Sequence, residues 1–170
     1  MSAEVPAGRL LVPRPLSAPA FAPYGDVLSA EGPPDRLINA GLCGRWHDRA
    51  SLDFRGGRAG VSVFDAVPRR LPHIFDLVER HPEGSQAFLP MTLAPFLVIV
   101  AADRDGRPDR PEAFLTAPGQ GINLRRNVWH GVLTPLAAPG LFAVVDRIGP
   151  GPNLEEFRFD APWTVVAGAD

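Results

Sequence analysis

Two short stretches of the chain concentrate the side chains that could move protons or hold a small ligand. The first runs from Glu79 to Met91 (ERHPEGSQAFLPM) and the second from Pro118 to His130 (PGQGINLRRNVWH). Each stretch combines a histidine with carboxylate or amide groups and with residues typical of turns. Imidazole and carboxyl groups are common acids and bases of enzymes. We therefore predict that the two stretches form the walls of one polar pocket.

The spacing of the polar residues supports this prediction. Alternate side chains of a β-strand share a face, so Glu79 and His81 point the same way. The segment Pro82 to Gly84 is typical of a bend, after which Gln86 returns beside them. His130 follows a tight turn and opens the next strand. We predict His130, His81 and Glu79 as the catalytic residues and Gln86 as a substrate-binding residue, although each could instead serve only the structure.

The neighbouring arginines offer a cation for an anionic substrate. Along a regular strand only one of Arg125 and Arg126 points inward. Arg125 shares its parity with Asn123 and Asn127, so we predict that Arg125 and Asn127 face the pocket. A planar guanidinium holds a carboxylate through two parallel hydrogen bonds.

Other polar and aromatic residues have weaker claims to function. Asp146 and Arg147 follow an apolar run and are predicted to bind substrate, with a strand-end salt bridge as the alternative. The remaining histidines and two large aromatic residues are interpreted as loop, structural or packing residues: His47, His73, Tyr24 and Trp129.

Composition excludes several classes of protein. The chain has 170 residues, of which 45% are hydrophobic, and this predicts one domain over residues 1–170. A net charge of −2 does not favour nucleic acid or an anionic membrane as a partner. All 17 basic residues are arginine, which excludes a Schiff-base lysine and the lysine of a P-loop.

The compartment is predicted from cysteine and hydropathy. The lone Cys43 forms no internal disulfide, which is typical of a reducing cytosol. Glu4 and Pro6 interrupt any apolar run near the N-terminus, and the longest apolar stretch, Phe96 to Ala102, is too short to span a bilayer. We expect a cytoplasmic protein without a membrane partner.

The elements that must position these residues are mostly strands. Short β-branched, aromatic or alternating runs are separated by 20 prolines and 17 glycines, and an all-β sandwich or barrel is expected. Short helices are predicted near Ala18 to Tyr24, with Ser17 as N-cap, and near Pro72 to Arg80. The charged segment Asp103 to Pro111 is typical of a hairpin loop. The predicted strands are Gly60 to Ala66, Ala87 to Pro90, Phe96 to Ala101, Ala113 to Thr116, Gly121 to Leu124, Val128 to Leu133, Leu141 to Ile148, Glu156 to Phe159 and Thr164 to Val166.

Both stretches resemble the motifs of cupin barrels. Glu79, His81 and Gln86 fall in the frame of the first cupin motif, in which two histidines flank one residue and a glutamate follows. The second motif runs Gly, five residues, Pro, one residue, Gly, two residues, His, and here its frame is occupied by Gly119, Arg125, Asn127 and His130. Asn fits the turn because it tolerates positive φ. The resemblance implies a cupin-like double-stranded β-barrel with a few short helices.

A second resemblance extends over more of the chain. The blocks FAPYGD (21–26), LINAGLCGRWHD (37–48), ERHPEGSQAFLPM, RRNVWH and VVDR (144–147) are similar to the ureidoglycolate lyase family of allantoin and purine degradation. This resemblance implies a homodimer that eliminates urea from ureidoglycolate and leaves glyoxylate. It also implies an acid, a base and a cation in one pocket.

Metal dependence and catalysis itself stay open at this point. No cofactor is required by the residues, but a divalent metal such as nickel is a candidate activator, with Glu79, His81, Gln86 and His130 as its ligands. Glutamine is a poor ligand for a transition metal, so weak binding is expected. The alternatives are a metal-dependent cupin oxygenase or isomerase, and a non-catalytic module that binds a small carboxylate. Hydrolysis with release of ammonia is a further alternative to elimination of urea.

Overall fold

The fold is built almost entirely of β-strands. A computed structural model describes residues 9–168, so Glu4 and Pro6 lie outside the described residues. None of the helices within residues 9–168 is long and apolar enough to cross a membrane. The elements in chain order are β1 (Leu10–Leu11), β2 (Arg14–Pro15), α1 (Ala18–Phe21), β3 (Gly25–Leu28), β4 (Arg36–Ile38), β5 (Cys43–Arg45), β6 (Arg58–Asp65), β7 (His73–Arg80), β8 (Gln86–Pro90), β9 (Phe96–Ala101), β10 (Asp103–Arg104), β11 (Arg107–Pro108), β12 (Glu112–Leu115), β13 (Gly121–Leu124), β14 (Trp129–His130), β15 (Thr134–Pro135), β16 (Leu141–Ile148) and β17 (Glu155–Val165).

Two sheets contain most of the strands. The large sheet has the order β1-β17-β7-β14-β9-β12-β2, with β15 also paired to β9. The small sheet has the order β3-β13-β8-β16-β6. Two hairpins, β4–β5 and β10–β11, lie outside both sheets. The predicted all-β class is confirmed, and the architecture agrees with a cupin-like barrel.

The main core lies between the inner faces of the two sheets. Phe96, Val98 and Val100 of β9 share one buried cluster with Phe142 and Val144 of β16. The rings of Phe96 and Phe142 meet edge to face, with centroids 5.0 Å apart. Burying a side chain of this size contributes about 1.5–3 kcal/mol. The packing of these strands fixes the separation of the two sheets.

Strand β9 is buried on both faces, which explains its uninterrupted apolar sequence. Its alternate residues Leu97 and Ile99 belong to a second cluster, on the outer side of the large sheet, together with Trp163 and Val165. A strand with only one covered face would alternate apolar and polar residues. The continuous run therefore identifies β9 as a central strand.

Several predicted elements match the structure and others do not. The predicted strand Val128 to Leu133 is shortened to β14, and the predicted strands Glu156 to Phe159 and Thr164 to Val166 are one continuous strand, β17. The bounds predicted for β9, β13 and β16 are those observed. Ser17 caps α1, accepting a hydrogen bond from Ala20 N at 3.4 Å. The charged segment after β9 forms the predicted hairpin, β10–β11. The helix predicted near Pro72 to Arg80 is wrong, because this segment is the strand β7, paired with both β14 and β17.

Candidate functional site

Three polar side chains meet where β7 and β14 run side by side. The antiparallel register places His130 opposite Glu79, and cross-strand partners share a face of the sheet. His81 follows directly after the end of β7. One potential ligand atom from each of the three residues lies within 4.8 Å of the other two. The structure thus brings together the three residues predicted as catalytic.

The cluster faces the interior of the barrel. His130 is also opposite Val100, which belongs to the core between the sheets. Only 3% of His130 is exposed. The imidazole therefore lies at the inner surface of the large sheet.

Both histidine rings are oriented by backbone carbonyls. His81 Nδ1 lies 2.7 Å from Asn153 O, and His130 Nδ1 lies 3.0 Å from Gly131 O. A carbonyl only accepts, so each Nδ1 donates and carries the ring proton. In neutral rings the lone pair is then on Nε2. Within the described residues, both Nε2 atoms are buried without a hydrogen-bond partner.

Burial shifts the pKa values of His130 and Glu79 in opposite directions. The pKa of His130 is lowered to about 4, mainly by burial and also by the nearby His81, while the bond to Gly131 O opposes the change. Burial raises the pKa of Glu79 above its ordinary value; His81 opposes this rise and the Glu156 carboxylate adds to it. His130 is therefore neutral near pH 7, with a lone pair that can accept a proton or a metal ion.

Glu79 and His81 form a loose pair. His81 Nε2 lies 3.9 Å from Glu79 Oε1, which is longer than a hydrogen bond. The His81 and His130 ring centroids are 5.3 Å apart. A proton, a metal ion or a substrate atom between these groups would contact all three.

The small sheet contributes two polar groups at the same end of the barrel. Gln86 is opposite Leu124, and Asp146 follows two residues after the inward-facing Val144. Gln86 Nε2 lies 3.5 Å from Asp146 Oδ2, and Gln86 Oε1 is buried without a partner among the described residues. Because a short turn joins His81 to Gln86, these groups lie at the same barrel end as the histidines. The predicted return of Gln86 to this end agrees with the register.

The parity argument for the arginines is wrong, because β13 ends at Leu124. Residues 125–128 form a turn in which Asn127 has a φ of 65°. Arg125 is exposed and donates from Nη1 to Ala22 O at 2.7 Å. Arg126 is less exposed and donates to Asp53 Oδ2 at 2.6 Å and Pro82 O at 2.9 Å. Strand alternation therefore cannot decide which arginine serves the site.

The Asn127 and Arg147 side chains have no observed contact with the cluster. Asn127 is exposed, and it is its backbone N–H that donates to His81 O at 3.1 Å. Arg147 donates from Nε to Arg55 O at 2.5 Å, and from Nη2 to Gly56 O and Pro150 O. These bonds hold loops at the barrel end and leave substrate binding by Arg147 a prediction without structural support.

The other candidates lie away from the cluster. His47 lies after the surface hairpin β4–β5 and shares a cavity of about 100 Å³ with Asp35 and two arginines. His73 stacks on Phe75 at the far end of β7, with centroids 6.3 Å apart. Tyr24 and Trp129 are buried, and their polar atoms donate to carboxylates.

Two cavities are lined by residues predicted for the site. One, of about 20 Å³, is lined by His130, Phe88, Ile122 and Leu124 and has room for about one water molecule. The other, of about 300 Å³, is lined by Ser51, Asp53, Ser85, Arg125 and Arg126. Only the second has room for a small organic acid, and its two arginines favour an anion.

Sequence reasoning missed the backbone groups that orient the histidines. Asn153 lies in the loop between β16 and β17, 72 residues from His81. No short motif signals such a contact. The carbonyl of Gly131 could have been suspected, because it directly follows His130.

The donor set fits a divalent ion. Two imidazole Nε2 atoms and a carboxylate are ligands that transition metals accept, and each Nδ1 bonded to a carbonyl is the usual outer support of a metal-binding histidine. The cluster could therefore hold a metal, with the unpartnered Gln86 Oε1 as a further oxygen at the same barrel end.

Comparison with known proteins assigns a family to this arrangement. Residues 8–166 match the family model described as ureidoglycolate lyase. A ureidoglycolate lyase from Rhodobacter capsulatus is 65% identical over 158 residues, covering 92% of this chain and 98% of that protein. One from Chelativorans sp. is 50% identical over 159 residues, covering 92% and 96%. Ureidoglycolate lyase 2 from Rhizobium meliloti is 50% identical over 154 residues, covering 89% and 94%.

Proposed function

Because the chain belongs to the ureidoglycolate lyase family, we propose that it is a carbon–nitrogen lyase acting on ureidoglycolate. The reaction releases urea and leaves glyoxylate. The observation that carries the chemical part of this proposal is the pair of buried Nε2 atoms, on His81 and His130, beside the Glu79 carboxyl.

The reaction needs one proton removed and one delivered. The substrate is a hemiaminal, HO–CH(COO⁻)–NH–CO–NH₂. As the hydroxyl loses its proton, its oxygen forms a carbonyl, and the electron pair of the breaking carbon–nitrogen bond passes to nitrogen. That nitrogen takes up a proton and leaves as urea. A positioned acid or base typically contributes about 10²–10⁴-fold to such a step.

We assign the base to His130 and, within the Glu79 and His81 pair, the acid to the protonated Glu79 carboxyl. The low pKa of His130 keeps its Nε2 unprotonated near pH 7, which suits a base. The raised pKa of Glu79 favours its protonated form relative to an exposed carboxyl, which suits an acid. The protein environment thus lowers the pKa of His130 and raises the pKa of Glu79 relative to their ordinary values.

The carboxylate anchor in this proposal is Arg125, with Gln86 and Asp146 contacting the polar part of the substrate. Among the described contacts, Arg125 donates one hydrogen bond, whereas the Arg126 guanidinium is already held by Asp53 and Pro82 O. Arg125 also lines the cavity of about 300 Å³ next to the turn that contacts His81. Asn127 contributes to this arrangement through its backbone N–H, which donates to His81 O.

A divalent ion such as nickel is part of the proposal as an optional activator. Glu79, His81 and His130 would hold it, with Gln86 as a weaker fourth ligand. When bound, such an ion polarises a substrate oxygen and stabilises developing negative charge. The protein groups that remain, Asp146 and the arginines, would then orient the substrate.

We also propose the cellular setting. The family resemblance supports a homodimer that works in allantoin and purine degradation. The single Cys43 supports a cytoplasmic location. A small polar acid is the expected partner, and the net charge of −2 does not favour nucleic acid.

One assay tests the activity directly. Purified protein is incubated with ureidoglycolate, and urea, ammonia and glyoxylate are measured together. Equal amounts of urea and glyoxylate without ammonia are expected. Ammonia in place of urea would establish hydrolysis, and ligand binding without turnover would establish a binding module.

A variant tests the site within the same assay. His130→Ala is expected to lower turnover by about 10²-fold or more while the far-ultraviolet spectrum stays native. Val128→Ala, two residues earlier, serves as a packing control. Near wild-type turnover of His130→Ala would remove His130 from the mechanism.

A further inference from the structure

We infer that Asn153 is a positioning residue that fixes the ring orientation and the tautomer of His81. This inference rests on the proposed role of His81 in catalysis. Asn153 lies in the loop that joins β16 to β17 and crosses from the small sheet to the large one beside the site.

Asn153 makes two contacts with the turn that follows β7. Its carbonyl oxygen accepts the Nδ1 proton of His81 at 2.7 Å. Its side-chain Oδ1 accepts a hydrogen bond from Glu83 N, also at 2.7 Å. The side chain therefore ties residue 153 to residue 83, and this tie brings the main-chain carbonyl to the imidazole.

The loop around Asn153 is held on both sides. Before it, Arg147 Nη2 donates to Pro150 O at 2.8 Å. After it, Glu155 pairs with Arg80 in the sheet register and through an ion pair of 2.6 Å. Between these anchors, the Asn153 side chain joins the loop to the turn through its hydrogen bond with Glu83 N.

Close packing leaves little room for another arrangement. A Cβ atom on Gly84 would lie 2.6 Å from Arg147 Cβ and 3.5 Å from Asn153 Nδ2. The turn thus passes directly against the loop, and glycine at residue 84 permits this approach. Direct atomic contacts therefore fix the distance between the turn and the loop.

The consequence for His81 is chemical. With its proton on Nδ1, His81 presents a bare Nε2 to Glu79 Oε1 at 3.9 Å and to the ring of His130. In the other tautomer Nε2 would carry the proton, and it could neither accept one nor bind a metal. Losing an outer contact of this kind typically lowers activity or metal affinity about 10–100-fold.

The experiment measures the tautomer and the kinetics in the same full-length variants. The ring nitrogens of ¹⁵N-histidine-labelled protein are followed by long-range ¹H–¹⁵N correlation at pH 8, with His81 assigned from His81→Ala. Asn153→Ala removes the acceptor for Glu83 N, and Asn153→Asp keeps it. Leu154→Ala, at an exposed neighbour in the same loop, is the control.

Wild type and Leu154→Ala are expected to show His81 protonated on Nδ1. Asn153→Ala is expected to shift His81 towards the Nε2-protonated form and to lower kcat about 10-fold, with KM changed less than twofold. Asn153→Asp is expected to restore the wild-type tautomer and most of kcat. An unchanged tautomer in Asn153→Ala would overturn the inference, whatever the activity.

The result also separates this inference from the proposed function. If His81→Ala keeps full activity, the catalytic role of His81 fails, but the tautomer shift in Asn153→Ala still decides the positioning role. If His81→Ala is inactive and Asn153→Ala keeps both kcat and the wild-type tautomer, only the positioning role fails.

Discussion

The buried state of His130 predicts a specific dependence of stability on pH. The pKa of this residue is lowered from 6.5 to about 4 in the folded protein. A depressed histidine pKa means that the unfolded chain takes up the proton first as pH falls. The contribution of neutral His130 to the free energy of unfolding is therefore fully present above pH 6.5. It is lost as pH falls from 6.5 to 4 and is absent below pH 4.

The magnitude follows from the size of the shift. A shift of one pKa unit corresponds to about 1.4 kcal/mol, so this shift corresponds to about 3 kcal/mol in full. We expect most of that amount to be lost from the free energy of unfolding between pH 7.5 and pH 4.5. In His130→Gln this part of the pH dependence should be missing.

Urea denaturation of metal-free protein at several pH values provides the measurement. Taking the difference between wild type and His130→Gln removes the contributions of the other carboxyl and imidazole groups. Glu79, whose raised pKa acts in the opposite direction, is present in both proteins. Parallel curves for the two proteins would show that His130 titrates normally in the folded state, and the assignment of His130 as a neutral base would fail.

Further predictions concern the arginines and the metal. Arg125→Lys is expected to lower kcat/KM more than 10-fold, because the planar guanidinium fork is lost, and Arg125→Ala is expected to lower it further. Arg126→Lys should mainly lower the melting temperature, because it disturbs the bond to Asp53. The reverse kinetic pattern would make Arg126 the anchor. Arg147→Ala should reduce the free energy of unfolding by about 1.5–3 kcal/mol while KM stays near wild type, and a raised KM at unchanged stability would restore its substrate role. Elemental analysis should find less than one metal ion per chain, and added nickel should raise activity in wild type but not in Glu79→Ala. If each chain instead holds one ion tightly and loses activity on chelation, Glu79, His81 and His130 are metal ligands and not proton-transfer groups.

The strands that were predicted correctly are those whose burial is simple. Strand β9 is covered on both faces, so its run is apolar throughout; β13 ends at Leu124, just before two arginines, and β16 alternates half-buried and buried residues over Leu141 to Val144. The positive φ of Asn127 follows from residue type, because asparagine tolerates this conformation. In these places the local sequence and the tertiary environment favour the same structure.

The failures have physical causes that a short window of sequence does not contain. In β7, Ile74, Leu77 and Val78 are spaced as on one face of a helix, but pairing with β14 and β17 decides the structure. The parity of Arg125 and Arg126 was argued along a strand that stops one residue earlier. The contact of Asn153 with His81 depends on a loop far away in the chain.

The two possible uses of the cluster compete for the same lone pairs. A metal ion and a proton cannot occupy one imidazole Nε2 together, so protons should weaken metal binding wherever a ligand titrates. Because the pKa of His130 is about 4, this residue should not cause such competition near neutral pH. A metal affinity that falls with pH in His81→Gln as it does in wild type would assign the competing proton to the Glu79 carboxyl, whose pKa burial raises.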